Sequence, residues 1–444
     1  MRVYIETLGC PKNIVDSEMT SGFLERDGHQ IVSSPEGAEI ILINTCGFIH
    51  DAKQESIDMI LEMSQYKKQG CKKLIVSGCL GERYGKELME ELPEADVVMG
   101  VNDYHNISKI IDNTENKQQM LYHSPCSNSV LDLGVRKLSS PKHTAYLKIA
   151  EGCDNYCAYC IIPYIRGPFR SKHFDSILQE ARKLSEEGCK EVTLVAQDAT
   201  NYGIDLYNRY RIHELASDIS KIDGLKWIRL MYCYPHLITD ELIRIIANND
   251  KICKYIDIPI QHCSNHILNS MNRKANKKNI IDVINRLRDR VPGINIRTTL
   301  IVGLPGETEK DYNELKQFVK DIRFERLGVF EYSPEEGTPA AKMENQIDDN
   351  IKKARRDEIM AIQQKIALEL NTERIGKEEV VLVEEKVEGE NVYIGRTQYD
   401  APEIDNSVMF TSKKKIETGE FVKVKITDAM EYDLIGDDIY EPAQ

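Results

Sequence analysis

Two stretches of this chain alternate short apolar runs with helical patterns, and that alternation limits the fold more than any other feature. In residues 1–112 the runs RVYIETL, EIILINT and KKLIVSG are predicted strands, with predicted helices over 16–26, 51–69 and 82–91. Strand–helix alternation with buried apolar strands points to a parallel sheet. The alternation resumes at Ala145, where AYLKIAE, EVTLVAQ, WIRLMY, KYIDIPI, NIRTTLIVG and RLGVFEYS read as strands. Helical patterns separate them, as over 173–187, 237–248, 276–290 and 308–320. Six such units predict a full or partial α/β barrel. Residues 342–372 keep helical spacing without strands. Residues 378–435 turn all-β, with EVVLVEEKV, NVYIGRT, SVMFTS and FVKVKITDAM between glycines, the pattern of a small closed or nearly closed barrel of OB-like size. A length of 444 residues suits about three domains. They are expected at 1–115, 141–372 and 373–441, with the polar, turn-rich stretch 116–140 as a linker.

The segment from Met1 to Cys10 has no apolar core of a secretory signal, and no run approaches the roughly 18 apolar residues of a membrane span. A cytoplasmic protein with no membrane partner is expected, in a compartment where thiols stay reduced. The twelve cysteines then point to metal or redox chemistry before disulfides. The net charge of −14 argues against a general affinity for nucleic acid, although it leaves room for a local basic groove.

Cys153, Cys157 and Cys160 form C-x3-C-x2-C directly after the strand AYLKIAE. Three thiolates on one loop can chelate three irons of a [4Fe–4S] cube and leave the fourth iron open, able to hold the amino and carboxylate groups of S-adenosylmethionine (SAM). An electron from the cluster can then cleave the sulfonium; the cofactor carries the hard chemistry and the protein positions it. The alternative is zinc, but zinc motifs usually pair two short C-x2-C units, and no second unit lies nearby. Cys10, Cys46 and Cys79 are far apart in sequence, yet each follows an apolar strand: YIETLGC, LINTC and IVSGC. Strands of a parallel sheet end on one edge, so these thiols could converge there. The alternative is three small buried cysteines, the common state of a free thiol. Cys71, Cys126, Cys189, Cys233, Cys253 and Cys263 make no second close triplet and read as structural, with Cys126 of the polar stretch open to exposure.

The segment EGCDNYCAYCIIPYIRGPFRS resembles the signature loop of the radical SAM methylthiotransferases. The resemblance spans nearly the whole chain, and its implications are specific. Tyr159 takes the aromatic place near the adenine of SAM; Gln197 and Asp198 end the strand that lies near its methionyl part. Gly303, in TLIVGLPGET, matches the glycine motif that lets backbone approach the cofactor. Cys10, Cys46 and Cys79 become ligands of a second [4Fe–4S] cluster, whose open iron can carry the sulfur to be transferred. Two [4Fe–4S] clusters and SAM are then the cofactors, and no protein acid–base pair is nominated. Ala158 departs from the threonine frequent in the CAYC position.

Members of the family modify either a tRNA adenosine or a residue of a ribosomal protein. The C-terminal barrel resembles a TRAM domain, which usually binds RNA. Residues 374–444, however, hold 9 Lys or Arg against 17 Asp or Glu. Such a surface repels phosphate and attracts a basic protein, unless it is merely a solvated acidic face. Asp400, Glu403 and Asp405 are the carboxylates expected to dock that protein. GRTQYDAPEIDNSV, FEYSPEEGTPAAKM and IDIPIQHCS resemble the ribosomal-protein branch. That branch implies methylthiolation of the β-carbon of an aspartate in small-subunit ribosomal protein S-twelve, free or in the small ribosomal subunit. It also implies an electron donor of flavodoxin or ferredoxin type. A tRNA adenosine methylthiotransferase is the second reading, and tRNA is the less expected partner. A two-cluster electron carrier is a third, disfavoured because carriers usually close each cube with four cysteines.

Overall fold

The computed structural model describes residues 1–113, 119–126, 134–139 and 141–439. Linker positions 116–118, 127–133 and 140, and the last residues of the final domain, 440–441, lie outside the described residues.

Six parallel strands make the first sheet: β1 (Arg2–Thr7), β2 (Gln30–Val32), β3 (Ile40–Thr45), β4 (Lys73–Gly78), β5 (Val97–Met99) and β6 (Met120–Tyr122). Their order is β2-β1-β3-β4-β5-β6. Every residue of β3 is buried, as expected for a strand with helices on both faces. The flanking helices include α1 (Pro11–Arg26), α2 (His50–Ser64) and α3 (Cys79–Glu91). β5 and β6 are too short to leave a pattern in the sequence. β6 lies in the stretch read as a linker and pairs with β5, which would otherwise be the sheet edge. Further along that stretch the Lys137 N–H donates to the Glu18 carbonyl of α1 at 2.9 Å. α1 starts at Pro11, five residues earlier than its apolar spacing suggests, with proline at a first-turn position that needs no N–H. Its buried residues include Asn13, Asp16, Ser17 and Glu18, so the helix is covered on more than its apolar side.

The second sheet is also all parallel. Its strands are β7 (Thr144–Lys148), β10 (Glu191–Val195), β11 (Trp227–Leu230), β12 (Ile252–Asp257), β13 (Asn295–Val302) and β14 (Arg326–Glu331), in the order β14-β13-β12-β11-β10-β7. β8 (Ala150–Glu151) and β9 (Arg170–Ser171) form a small ribbon beside it. No pairing closes β14 onto β7 among the described residues, so the barrel is partial. Along β13 the buried positions alternate as Ile296, Thr298, Leu300 and Val302, which face the outer helices.

The third unit is a closed barrel of β15 (Glu378–Lys386), β16 (Val392–Thr397), β17 (Val408–Thr411), β18 (Phe421–Ala429) and β19 (Leu434–Asp438). β19 went unread in the sequence because Gly436, Asp437 and Asp438 dilute its apolar character. The barrel covers the second sheet near the starts of its strands, away from the cysteine loop. Arg396 and Arg229 both bind Glu191, at 2.6 and 2.9 Å. Trp227 meets Phe421 edge to face, with ring centroids 4.8 Å apart. Here the expected docking carboxylates are corrected. Asp400 is 1% exposed and binds Arg326 at 2.6 Å. Asp405 accepts from the Tyr255 hydroxyl at 2.6 Å and lies 3.3 Å from Arg297. Glu403 is exposed but accepts from the Tyr146 hydroxyl at 3.2 Å. Asp400 and Asp405 are partners of arginines on the sheet's concave side, because buried cations there need a counter-charge. The acid left to face solvent includes Glu385, near the end of β15, and Glu388 and Glu390, between β15 and β16.

Among the described residues, no helix is long and apolar enough to cross a membrane.

Candidate active site between two cysteine triplets

β1, β3 and β4 are neighbours in the sheet, and Cys10, Cys46 and Cys79 stand at or just beyond their C-terminal ends. The strand order reverses between β1 and β3, the place where open parallel sheets gather ligands. Glycines beside the cysteines let the loops touch. A Cβ on Gly9 (φ +96°) would stand 2.9 Å from the Cys46 Cβ, and one on Gly47 would stand 2.8 Å from the Cys79 carbonyl. Buried Asn13 ties the loops together, its amide donating to the Leu8 carbonyl at 2.8 Å and the Thr45 carbonyl at 3.1 Å. The thiols also sense one another. Burial, with Cys79 and Cys10 close by, pushes the Cys46 thiol up to about 12. Burial raises Cys79 as well, against the pull of Arg166. Cys10 moves the other way: burial opposes its charge, but Lys12, Arg166 and the N–H groups opening α1 lower it overall.

Cys153, Cys157 and Cys160 lie on the loop after β8. The Cys160 N–H donates to the Cys157 carbonyl at 2.9 Å, and the Cys153 N–H to the Gly167 carbonyl at 3.1 Å. Donors meet the sulfurs: the Asn155 amide is 3.4 Å from the Cys153 Sγ, and the Arg273 guanidinium 3.7 Å from the Cys157 Sγ. Burial raises Cys153 to about 11. It raises Cys160 too, with Cys157 and Cys153 adding to the effect.

Of the expected cofactor contacts, Tyr159 sits with Cys157, Cys160 and Arg273, its phenol driven upward chiefly by burial. Gln197 donates to Glu151 at 2.9 Å, and its side-chain oxygen is buried without a partner. Asp198 accepts from Asn155 at 2.9 Å and Thr200 at 2.6 Å, so it fixes the residue that touches Cys153. Gly303 has φ +77°, and a Cβ there would strike the stem of Lys352 from the helix Asp349–Thr372. Its N–H donates to Glu307 at 2.7 Å.

Arg166 joins the two triplets. It leaves the central cysteine loop fully buried, and its Nε donates to the Cys79 Sγ at 3.4 Å. Its Nη2 donates to the Asn13 side chain at 2.7 Å, and its Nη1 lies 2.9 Å from Glu151 and 3.0 Å from Asp16. Lys148 of β7 shares both carboxylates. Sequence reasoning passed over Arg166, Asn13, Lys12 and Arg273; the Gly-Cys and Cys-Gly pairs at 9–10, 46–47 and 78–79 were the available hint of close packing. It also missed Tyr232 and Gln261. Both follow strands of the second sheet and hold left-handed backbones, φ +60° and +71°, which non-glycine residues adopt at a cost. Cys126 is exposed, with its sulfur close to Gly167.

The donor sets fit iron–sulfur clusters. All twelve cysteines are free. Among the described residues no three His, Cys, Asp or Glu close on a point as a single zinc ion requires. A cube binds each thiolate to a different iron, so its ligands stand further apart, and the N–H groups at the sulfurs suit thiolates carrying negative charge.

Residues 2–100 match the uncharacterized protein family UPF0004, residues 147–319 the radical SAM superfamily, and residues 375–439 the TRAM domain. The chain is 50% identical over 444 residues to the ribosomal protein uS12 methylthiotransferase RimO of Clostridioides difficile, covering 100% of each. It is 52% identical over 438 residues to the RimO of Clostridium kluyveri, covering 98% of each. Among solved structures it resembles in fold the radical SAM methyltransferase TsrM of Kitasatospora setae, with TM-score 0.57, 12% identity and 76% of each chain covered. It also resembles OxsB, a cobalamin-dependent SAM radical enzyme, with TM-score 0.52, 13% identity, and 82% of this chain and 56% of the other covered. End-to-end identity at this level, with a radical SAM match over the second sheet, shows that the chain is an enzyme of the RimO family of radical SAM methylthiotransferases, whose cofactors are SAM and [4Fe–4S] clusters.

Proposed function

We propose that this enzyme adds a methylthio group to the β-carbon of an aspartate in ribosomal protein uS12, with Cys153, Cys157 and Cys160 holding one cluster and Cys10, Cys46 and Cys79 the other. The observation that carries the reading is Arg166, which runs from the loop of one triplet to a thiol of the other. Such a joint holds the two cysteine loops side by side, the arrangement that transfer of sulfur to an activated carbon demands. When bound, the clusters and SAM supply hydrogen abstraction from carbon and delivery of sulfur and methyl.

The chain's own residues bind, orient and shield. Asn155 and Arg273 donate to the sulfurs of Cys153 and Cys157, and Asp198 keeps Asn155 in place. Tyr159, with Ile301 and Met343, packs on the buried wall around Ala158 and Leu304 and keeps water from that side. The orphan oxygen of Gln197 is an acceptor suited to an ammonium or hydroxyl of SAM. Tyr156 and Tyr164, both exposed and edge to face at 6.3 Å, flank the loop and offer an aromatic rim to a partner. The reaction needs an electron donor of flavodoxin or ferredoxin type, and the cytoplasm is the compartment that keeps these thiols reduced.

The test is anaerobic reconstitution with SAM and reductant, offering uS12, small ribosomal subunits and tRNA in parallel. A mass gain of about 46 Da, the net addition of CH₂S, on an aspartate-containing peptide supports the reading. Modified adenosine with unmodified uS12 overturns it.

A further inference from the structure

Lys12 is 7% exposed and ends against the ring of Tyr232, its Nζ 3.6 Å from the ring centroid. The other buried lysines of the described residues each reach a carboxylate: Lys148 binds Asp16 and Glu151, Lys172 binds Glu180, and Lys352 binds Asp349. Among the described residues, Lys12 has no carboxylate within ion-pair reach. The groups that favour its charge are the Tyr232 phenol and the Cys10 thiol, neither a carboxylate; a buried ammonium so placed has room in its charge balance for an anion that arrives. Its position sharpens the point. Lys12 is the second residue of α1, a helix of 16 residues, where the N–H groups and the helix dipole already favour negative charge. A cation added there makes the spot strongly positive. The side chain also crosses from the first sheet to Tyr232 of the second, next to Cys10 on one side and near Arg166. Arg166 already spends its charge on Asp16 and Glu151.

We propose that Lys12 is the specificity residue that receives the side-chain carboxylate of the substrate aspartate between the two cysteine triplets. The inference rests on the functional reading above. The reacting β-carbon is bonded directly to the carboxylate carbon, so a cation gripping the carboxylate fixes the carbon as well. Amide and adenine substrates lack that charge and leave Lys12 buried without a carboxylate, which discriminates against them.

The test uses holoenzyme reconstituted anaerobically, as wild type, Lys12→Gln and Lys12→Arg, at matched iron content. Each is titrated with two forms of uS12, one carrying the target aspartate and one with asparagine in its place. Wild type is expected to bind the aspartate form about 10- to 100-fold more tightly. Lys12→Gln should erase that preference while Lys12→Arg keeps most of it. If Lys12→Gln weakens both forms equally, or leaves the preference intact, Lys12 is only a counter-charge for its own loop and the proposal falls. Should Lys12→Gln load too little iron, Lys12→Arg decides, because a loaded arginine variant without the preference overturns the assignment too. Wild type that modifies no uS12 by mass spectrometry sinks the functional reading itself. Wild type that modifies uS12 but binds both forms alike sinks the Lys12 assignment alone.

Discussion

The two cysteine triplets are built in opposite ways. Cys153, Cys157 and Cys160 belong to one loop, whose own hydrogen bonds bring them together. Cys10, Cys46 and Cys79 come from three strand ends and meet only because β1, β3 and β4 pair in register and Gly9, Gly47 and Asn13 let the loops close. A local site needs one loop to fold; a distributed site needs a sheet. The first should therefore tolerate damage to the chain around it better than the second.

The largest effect comes from deleting each set in turn. Replacing Cys153, Cys157 and Cys160 with Ala should leave about half of roughly eight irons and abolish 5′-deoxyadenosine formation. Replacing Cys10, Cys46 and Cys79 with Ala should also halve the iron and abolish methylthio transfer, yet spare reductive cleavage of SAM. Loss of 5′-deoxyadenosine in that second variant, with its central cluster still loaded, would contradict the division of roles.

The joint between the triplets is the next place to press. Arg166→Met leaves Asp16 and Glu151 with Lys148 alone and removes the donor to Cys79. Breaking a buried ion network from one side costs about 3–5 kcal/mol, read as a lower denaturation midpoint. The reduction potential of the N-terminal cluster should fall, since a positive donor at its thiolate is lost. An unchanged potential would mean that Arg166 only braces the domains.

Acid should loosen the same side of the molecule before the central loop. Burial alone would raise Glu180, but Lys172 and Arg136 hold it down at about 2. A carboxyl depressed in the fold stabilises it above its unfolded pKa, near 4.5, and loses that stabilisation as pH falls toward 2. The span corresponds to about 3 kcal/mol. Arg136 also binds Glu18 of α1, so this loss weakens the packing of the first unit against the second. Apo-protein unfolding measured from pH 5 to 2.5 should be steeper for wild type than for Glu180→Gln; parallel curves would refute the assignment.

The smallest effect belongs to the exposed acid of the C-terminal barrel. Changing Glu385, Glu388 and Glu390 to Lys should slow encounter with uS12 a few-fold at low salt and hardly at all at high salt. Asp400→Asn should do the reverse, lowering stability through Arg326 with no salt-dependent change in encounter. If the three exposed substitutions leave encounter untouched at every salt concentration, the acidic face is merely solvated.

What the sequence determined by itself was whatever local spacing can encode. The strand runs, the C-x3-C-x2-C loop and the all-β tail each follow from periodicity or from thiols set close along the chain, and the strands EIILINT and NIRTTLIVG lie where their apolar pattern put them. Short strands such as Val97–Met99 and Met120–Tyr122 escaped, because three residues carry no period and only a neighbouring edge makes them strands. The tertiary structure alone decided the rest. It set Lys12 against Tyr232, ran Arg166 to Cys79, and turned Asp400 and Asp405 from a supposed docking face into partners for buried arginines. Charge in a sequence has no address: a carboxylate looks the same whether it faces water or an arginine from another domain, and only packing removes the water that separates the two cases.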